Sequence, residues 1–124
     1  MKIKEVQKIL HAELAGDYDY KSREIKSCFA GDLISDFLTF TGENPLLLTG
    51  LTNVQVMRSA DILDFVAICF VRGKIPQPET VALAKEKGIP LLVTRLLMYE
   101  ACGKLYKAGL QAVSYKESNI HLKK

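Results

Sequence analysis

Tryptophan is absent from this chain, and aromatic residues make up only 8% of it. No aromatic platform for stacking bases therefore stands out. Cysteine occurs three times, at Cys28, Cys69 and Cys102. An odd number at wide spacing excludes a disulfide framework, and without a C-x-x-C there is no ligand set for zinc or an iron–sulfur cluster. Cys69 lies inside Phe65-Val66-Ala67-Ile68-Cys69-Phe70-Val71 and reads as a small core residue. Neither sign of charge dominates: 17 basic residues stand against 14 acidic ones, a net charge of +3. The basic residues are scattered rather than striped, which argues against nucleic acid as a partner. No stretch approaches the roughly 18 apolar residues of a membrane span. Met1-Lys2-Ile3-Lys4-Glu5-Val6 carries no apolar run of the signal-peptide type. The expectation is a cytoplasmic protein with no membrane association.

Catalytic motifs are also missing. There is no G-x-x-x-x-G-K-[ST], no G-x-G-x-x-G and no G-x-S-x-G. The two histidines, His11 and His121, fall near the two chain ends, so a serine nucleophile has no evident base. A non-enzymatic role without a cofactor follows as the expectation.

What the sequence does contain is a repeat. Pro45-Leu46-Leu47-Leu48-Thr49-Gly50-Leu51 returns as Pro90-Leu91-Leu92-Val93-Thr94-Arg95-Leu96. Each copy reads as a buried strand that ends at a threonine and turns into a helix. The turns offer Thr49, Gly50, Thr52 and Asn53 in the first copy and Thr94 and Arg95 in the second. Ligands of open α/β sheets bind beyond the carboxyl ends of parallel strands, and helix N-termini suit phosphate. These six residues are thus the candidate ligand site. Gly50 is read as permitting a tight bend, since glycine can adopt positive φ. Thr52-x-x-Gln55 matches a capping box that opens a helix. Thr94 is read as the cap of a further helix, with Arg95 in its first turn. A cation there opposes the helix dipole, which a nearby anion would offset.

The remaining pattern alternates helices and strands. Ile3, Val6, Ile9 and Leu10 predict a helix over residues 2 to 11, ending at His11. Residues 16 to 19 read as a polar turn and residues 23 to 30 as a strand. Asp32 is the expected N-cap of a short helix carrying Leu33, Ile34, Phe37 and Leu38. Strands follow at residues 46 to 49, 65 to 71 and 91 to 93. Helices are expected at residues 52 to 64, from Pro78 to Gly88, and from Thr94 to about residue 107. The order predicts a three-layer α/β fold: a mainly parallel sheet of about four strands with helices on both faces. At 124 residues the chain is one domain, over residues 1 to 115, with a flexible C-terminal tail over residues 116 to 124.

Arg23-Glu24-Ile25 leading to Gly31-Asp32-Leu33-Ile34-Ser35-Asp36, the turn Leu47-Leu48-Thr49-Gly50, and Gly88-Ile89-Pro90-Leu91-Leu92-Val93-Thr94 before Tyr99-Glu100-Ala101 together resemble the DRTGG domain. The resemblance is to its short stand-alone members, and the family is related to the N-terminal domain of HPr kinase. It spans about residues 1 to 115. Where family members often carry an acidic–basic pair after the turn glycine, this chain has Leu51-Thr52. The resemblance implies a regulatory module that dimerises, with no catalytic residues to carry over.

The sequence reading is therefore a non-catalytic regulatory or interaction module. It would be homodimeric, docking a partner protein or sensing a small anionic ligand such as a nucleotide. The alternative is a metal-dependent phosphoryl-transfer or phosphohydrolase enzyme using Asp32 and Asp36, which stand at i and i+4 on one helical face.

Overall fold

The computed structural model describes residues 1–16, 23–32 and 34–115, with the backbone alone for residues 34–36. All of the expected turn after Gly16, the side chains of Leu33 and Ile34, the Asp36 carboxylate, and the tail with His121 lie outside the described residues.

An amphipathic first helix, α1 (Ile3–Leu10), buries Ile3, Val6 and Leu10 on one face. The Glu5 carboxylate accepts the Lys2 N–H at 3.0 Å, which satisfies one orphan donor at the helix start. The helix stops at His11, which takes a left-handed conformation with φ of 50°. The chain then runs through β1 (Glu13–Leu14), β2 (Ser27–Ala30), a 3-10 helix (Ile34–Thr39), β3 (Phe40–Thr41) and β4 (Pro45–Thr49). It continues through α2 (Val54–Ile62), β5 (Ala67–Phe70), α3 (Pro78–Lys87), β6 (Leu91–Val93), α4 (Met98–Lys107), β7 (Gln111–Ala112) and β8 (Ser114–Tyr115). The short helix after Asp32 is thus a 3-10 helix, and the strand expected from residue 23 is regular only from Ser27.

The expected α/β sheet is present and wider than anticipated. Among the described residues it has six strands in the order β1-β6-β5-β4-β2-β7. The four expected strands, β2, β4, β5 and β6, form its centre and run parallel. β7 adds a parallel edge beside β2, and β1 adds an antiparallel edge beside β6. These edges are two residues long, too short to show a periodicity in sequence. β3 and β8 make a separate antiparallel pair.

Helices cover both faces, and β4 shows why. All five of its residues are buried, as a strand covered on both sides requires. Leu46 and Leu48 point to one face, where they meet Ile3 and Val6 of α1 and Leu105 of α4. Leu47 points to the other, with Met57 and Ala60 of α2 and Ala84 of α3. Phe29, Phe37 and Phe65 extend that second layer, with Phe37 and Phe65 ring centroids 4.5 Å apart. α3 begins with Pro78 in its first turn and ends at Gly88, whose φ of 71° only glycine adopts without strain. Among the described residues no helix is long and apolar enough to cross a membrane.

Candidate functional site

The register of the sheet sets the site's geometry. Thr49 of β4 lies beside Phe70 of β5, and Phe70 beside Val93 of β6. The backbone pairing runs one step past the strand ends: Val71 N donates to Thr49 O at 3.0 Å and Thr94 N to Phe70 O at 2.9 Å. Gly50, Arg72 and Arg95 lie in the loops that follow these strands. Two backbone hydrogen bonds tie the loops after β5 and β6 together: Arg72 N to Leu96 O at 2.8 Å and Gly73 N to Thr94 O at 2.8 Å. The tie holds Arg72 and Arg95 on adjacent loops.

The two copies of the repeated turn share one construction. Thr49 Oγ1 accepts the N–H of Leu51 at 3.2 Å, and Thr94 Oγ1 accepts the N–H of Leu96 at 3.2 Å. Each hydroxyl also donates inward. Thr94 Oγ1 donates to the Leu10 carbonyl at 2.7 Å, which fastens the end of α1 to the end of β6. Thr49 Oγ1 donates to Asp32 Oδ1 at 2.9 Å. Both threonines are buried, so their hydroxyls shape the turns from inside.

Two expectations about these turns change, and the role of Gly50 becomes specific. The first helix opens at Asn53, whose side chain accepts the Val56 N–H at 3.1 Å, and not at Thr52. The Thr52 carbonyl is occupied by α3, accepting from Thr80 Oγ1 at 2.8 Å and Gln77 N at 3.2 Å. That contact holds Thr52 one residue outside the helix. The second helix starts at Met98 with Leu97 at its cap position. Residues 94–97 are consumed by the tie to the β5 loop, so Thr94 is not a cap and Arg95 is not in a first helical turn. Gly50, finally, is not among the positive-φ glycines. Its value lies in space. A Cβ on Gly50 would stand 2.2 Å from Arg72 Nη2 and 3.0 Å from Arg72 Cζ. The guanidinium packs directly over the glycine.

Asp32 completes the cluster. Its Oδ1 accepts from Gly50 N at 3.0 Å as well as from Thr49. The Gly50 hydrogen bond, helped by the Thr49 hydroxyl and the nearby Arg72 charge, holds the carboxyl below its usual range. Asp32 therefore braces the first turn. Arg72 itself has a φ of 63°, a conformation rare for a side chain of this size. Sequence reasoning missed Arg72 as a site residue. The signal was available: Arg72 follows its apolar strand as Gly50 and Arg95 follow theirs.

Arg72, Lys74 and Arg95 are all exposed at this edge. The Arg72 guanidinium over the Gly50 turn, with the Arg95 side chain beside Gly73 on the neighbouring loop, makes an electropositive shelf that can hold an anion. Among the described residues no group of three or more His, Cys, Asp or Glu side chains is placed to hold a metal ion. The thiols are suppressed: burial pushes Cys28 up to about 12 and also raises Cys69 and Cys102.

No protein-family model matches the chain, and no curated protein matches it in sequence. The fold is similar to a crystal structure of the CBS and DRTGG domains of the regulatory region of Clostridium perfringens pyrophosphatase, complexed with its activator diadenosine tetraphosphate. The likeness has a TM-score of 0.70 at 14% identity and covers 84% of this chain. The chain matches 45% of the length of that structure. At this identity the likeness is one of fold: the mixed α/β architecture with a mainly parallel sheet.

Proposed function

We propose that this protein is a cytoplasmic, non-catalytic regulatory module of the DRTGG type, acting as a homodimer that senses a phosphate-bearing ligand such as a nucleotide or docks a partner protein. The observation that carries the ligand reading is the Arg72 guanidinium seated on Gly50, with Arg95 on the neighbouring loop. The site comprises the two turns, Thr49, Gly50, Thr52 and Asn53 with Thr94 and Arg95, and adds Arg72. Thr49 and Thr94 fix the backbone. Gly50 leaves the room that Arg72 occupies. Asn53 opens the helix whose N-terminus faces the anion, and the two arginines supply the charge. The likeness of fold to a regulatory region that carries a nucleotide activator supports the same reading.

The test is a thermal-shift titration of the full chain with inorganic phosphate, AMP, ATP and diadenosine tetraphosphate. A ligand at about 100 times its dissociation constant adds roughly 2.7 kcal/mol, on the order of ten degrees at this chain length. The shift disappears in Arg72→Ala and in Arg95→Ala. No shift with any of the four compounds sinks the ligand reading.

A further inference from the structure

A groove of about 430 Å³ runs between α4 and the β2–β7 edge of the sheet. Protein interiors pack to nearly crystalline density, but small side chains on both walls leave this crease unfilled. Cys28 and Ala30 of β2 and Ala112 of β7 form the sheet wall, with Cys28 level with Ala112 in the register. Cys102 and Gly103 belong to the helix wall, and a Cβ on Gly103 would meet nothing within 4 Å. Tyr99 and Tyr106, both exposed, stand along the rim two turns apart. The charged residues of α4, Glu100, Lys104 and Lys107, lie roughly a quarter-turn or more round the helix and are not part of the wall. Burial pushes the Cys28 thiol up to about 12, so it stays neutral. The inside of the groove therefore carries no charge.

One end of the groove lies at the carboxyl edge of the sheet, beside the arginines. Ala30, at the end of β2, pairs with Leu48 of β4. Gly50 is then one strand across and two residues along, roughly 8 Å away, and Arg72 packs over that glycine. On the other wall, Tyr99 is in the first turn of α4, three residues after Leu96, whose carbonyl accepts the Arg72 N–H at 2.8 Å. The cationic shelf and the uncharged groove are thus neighbours on both walls. The volume falls within the range of small-molecule sites, and the polar groups of the groove choose between ligands. A nucleobase presents hydrogen-bonding groups round its ring, and burying them without partners is costly. Against them the groove sets the Gln111 amide, already donating to Gly109 O at 3.3 Å, and the tyrosine hydroxyls at the rim. A saturated chain needs no such partners, and each methylene taken out of water raises affinity by roughly fourfold.

We propose that the ligand of this module is an amphiphile, a phosphate monoester of an aliphatic chain, with its phosphate on the Arg72 and Arg95 shelf and its chain laid along the groove beside α4. The inference rests on the anion reading of the shelf and adds the chemical class of the ligand. Its test is isothermal titration calorimetry of the full chain with inorganic phosphate, butyl phosphate and decyl phosphate, the last kept below its micelle concentration. Butyl phosphate is too short to pass the gap between Gly50 and Ala30, and it binds like inorganic phosphate. Decyl phosphate binds tighter, by roughly fourfold for each methylene that enters the groove. Gly103→Leu fills the groove while favouring the helix. It returns decyl phosphate to the affinity of butyl phosphate, with the far-UV circular dichroism spectrum and the inorganic phosphate titration unchanged. Arg72→Ala weakens butyl and decyl phosphate by the same factor. Decyl phosphate no tighter than butyl phosphate overturns the proposal and leaves the anion reading standing. So does a decyl phosphate affinity that Gly103→Leu does not reduce, the mark of a detergent adsorbed elsewhere. Decanol carries the chain without the charge. If it binds and none of the phosphates does, the anion reading fails and the linked site fails with it.

Discussion

Asp32 and Gly50 are joined across the carboxyl edge of the sheet: the Gly50 N–H donates to Asp32 Oδ1 at 3.0 Å. The carboxylate also takes the Thr49 hydroxyl, so one side chain secures the turn at the end of β4. The hydrogen bonds lower the Asp32 pKa in the folded state. A carboxyl with a depressed folded pKa stabilises the fold above its unfolded value of about 3.9. That contribution is lost as the pH falls through the folded value. Urea midpoints of the wild type and Asp32→Asn should differ at pH 7 and converge below about pH 4. Equal midpoints at pH 7 would show that the brace contributes nothing.

The same carboxylate places a negative charge beside Arg72. If the arginine shelf takes an anion, Asp32 opposes it. Asp32→Asn should therefore tighten ATP binding by a few-fold, while Arg72→Ala weakens it, both read by calorimetric titration at constant salt. Weaker binding in Asp32→Asn would instead make Asp32 a ligand contact.

Gly50→Ala separates space from backbone freedom. The glycine has no positive φ to protect, and the added methyl meets the guanidinium end of a flexible side chain. The expected outcome is a fold destabilised by about 1 kcal/mol or less, with Arg72 displaced and ligand affinity reduced as in Arg72→Ala. A severe loss of stability would mean that the turn itself cannot accept a Cβ.

Thr94→Val tests the long-range tie to α1. The hydroxyl is buried and donates to Leu10 O, 84 positions away in sequence. Removing it leaves a buried carbonyl unpaired, at a cost of about 1–3 kcal/mol. Thr94→Ser should recover much of this, as measured by chemical denaturation. An unchanged midpoint in Thr94→Val would mean that water replaces the hydroxyl.

The helix-start correction yields a paired prediction. Asn53→Ala should cost about 1 kcal/mol as the loss of a cap, whereas Thr52→Ala should cost little, because Thr52 holds α3 through its backbone carbonyl. Denaturation midpoints in the opposite order would restore Thr52 as the cap.

The sequence alone determined the layered α/β plan. Apolar runs such as Leu46 to Leu48 can only be strands covered on both sides, and the 3.6-residue spacing of Ile3, Val6 and Leu10 can only be a helix laid on one of them. Pro78 and Gly88 marked α3 because their backbone preferences are local. The repeated threonine turns were legible for the same reason, and both copies do close on their own n+2 amide. What the tertiary structure decided is what those turns touch. The edge strands β1 and β7 are too short for any pattern and exist because a neighbouring strand offers unpaired backbone groups. Asp32 lies 18 positions before Gly50, and Arg72 reaches that glycine from the next strand. No local propensity encodes either contact. Thr52 and Thr94 had the residue type of a cap and lost that role to partners from α3 and the β5 loop. A hydroxyl takes whichever backbone group the packed chain brings nearest, and only the assembled sheet fixes which that is.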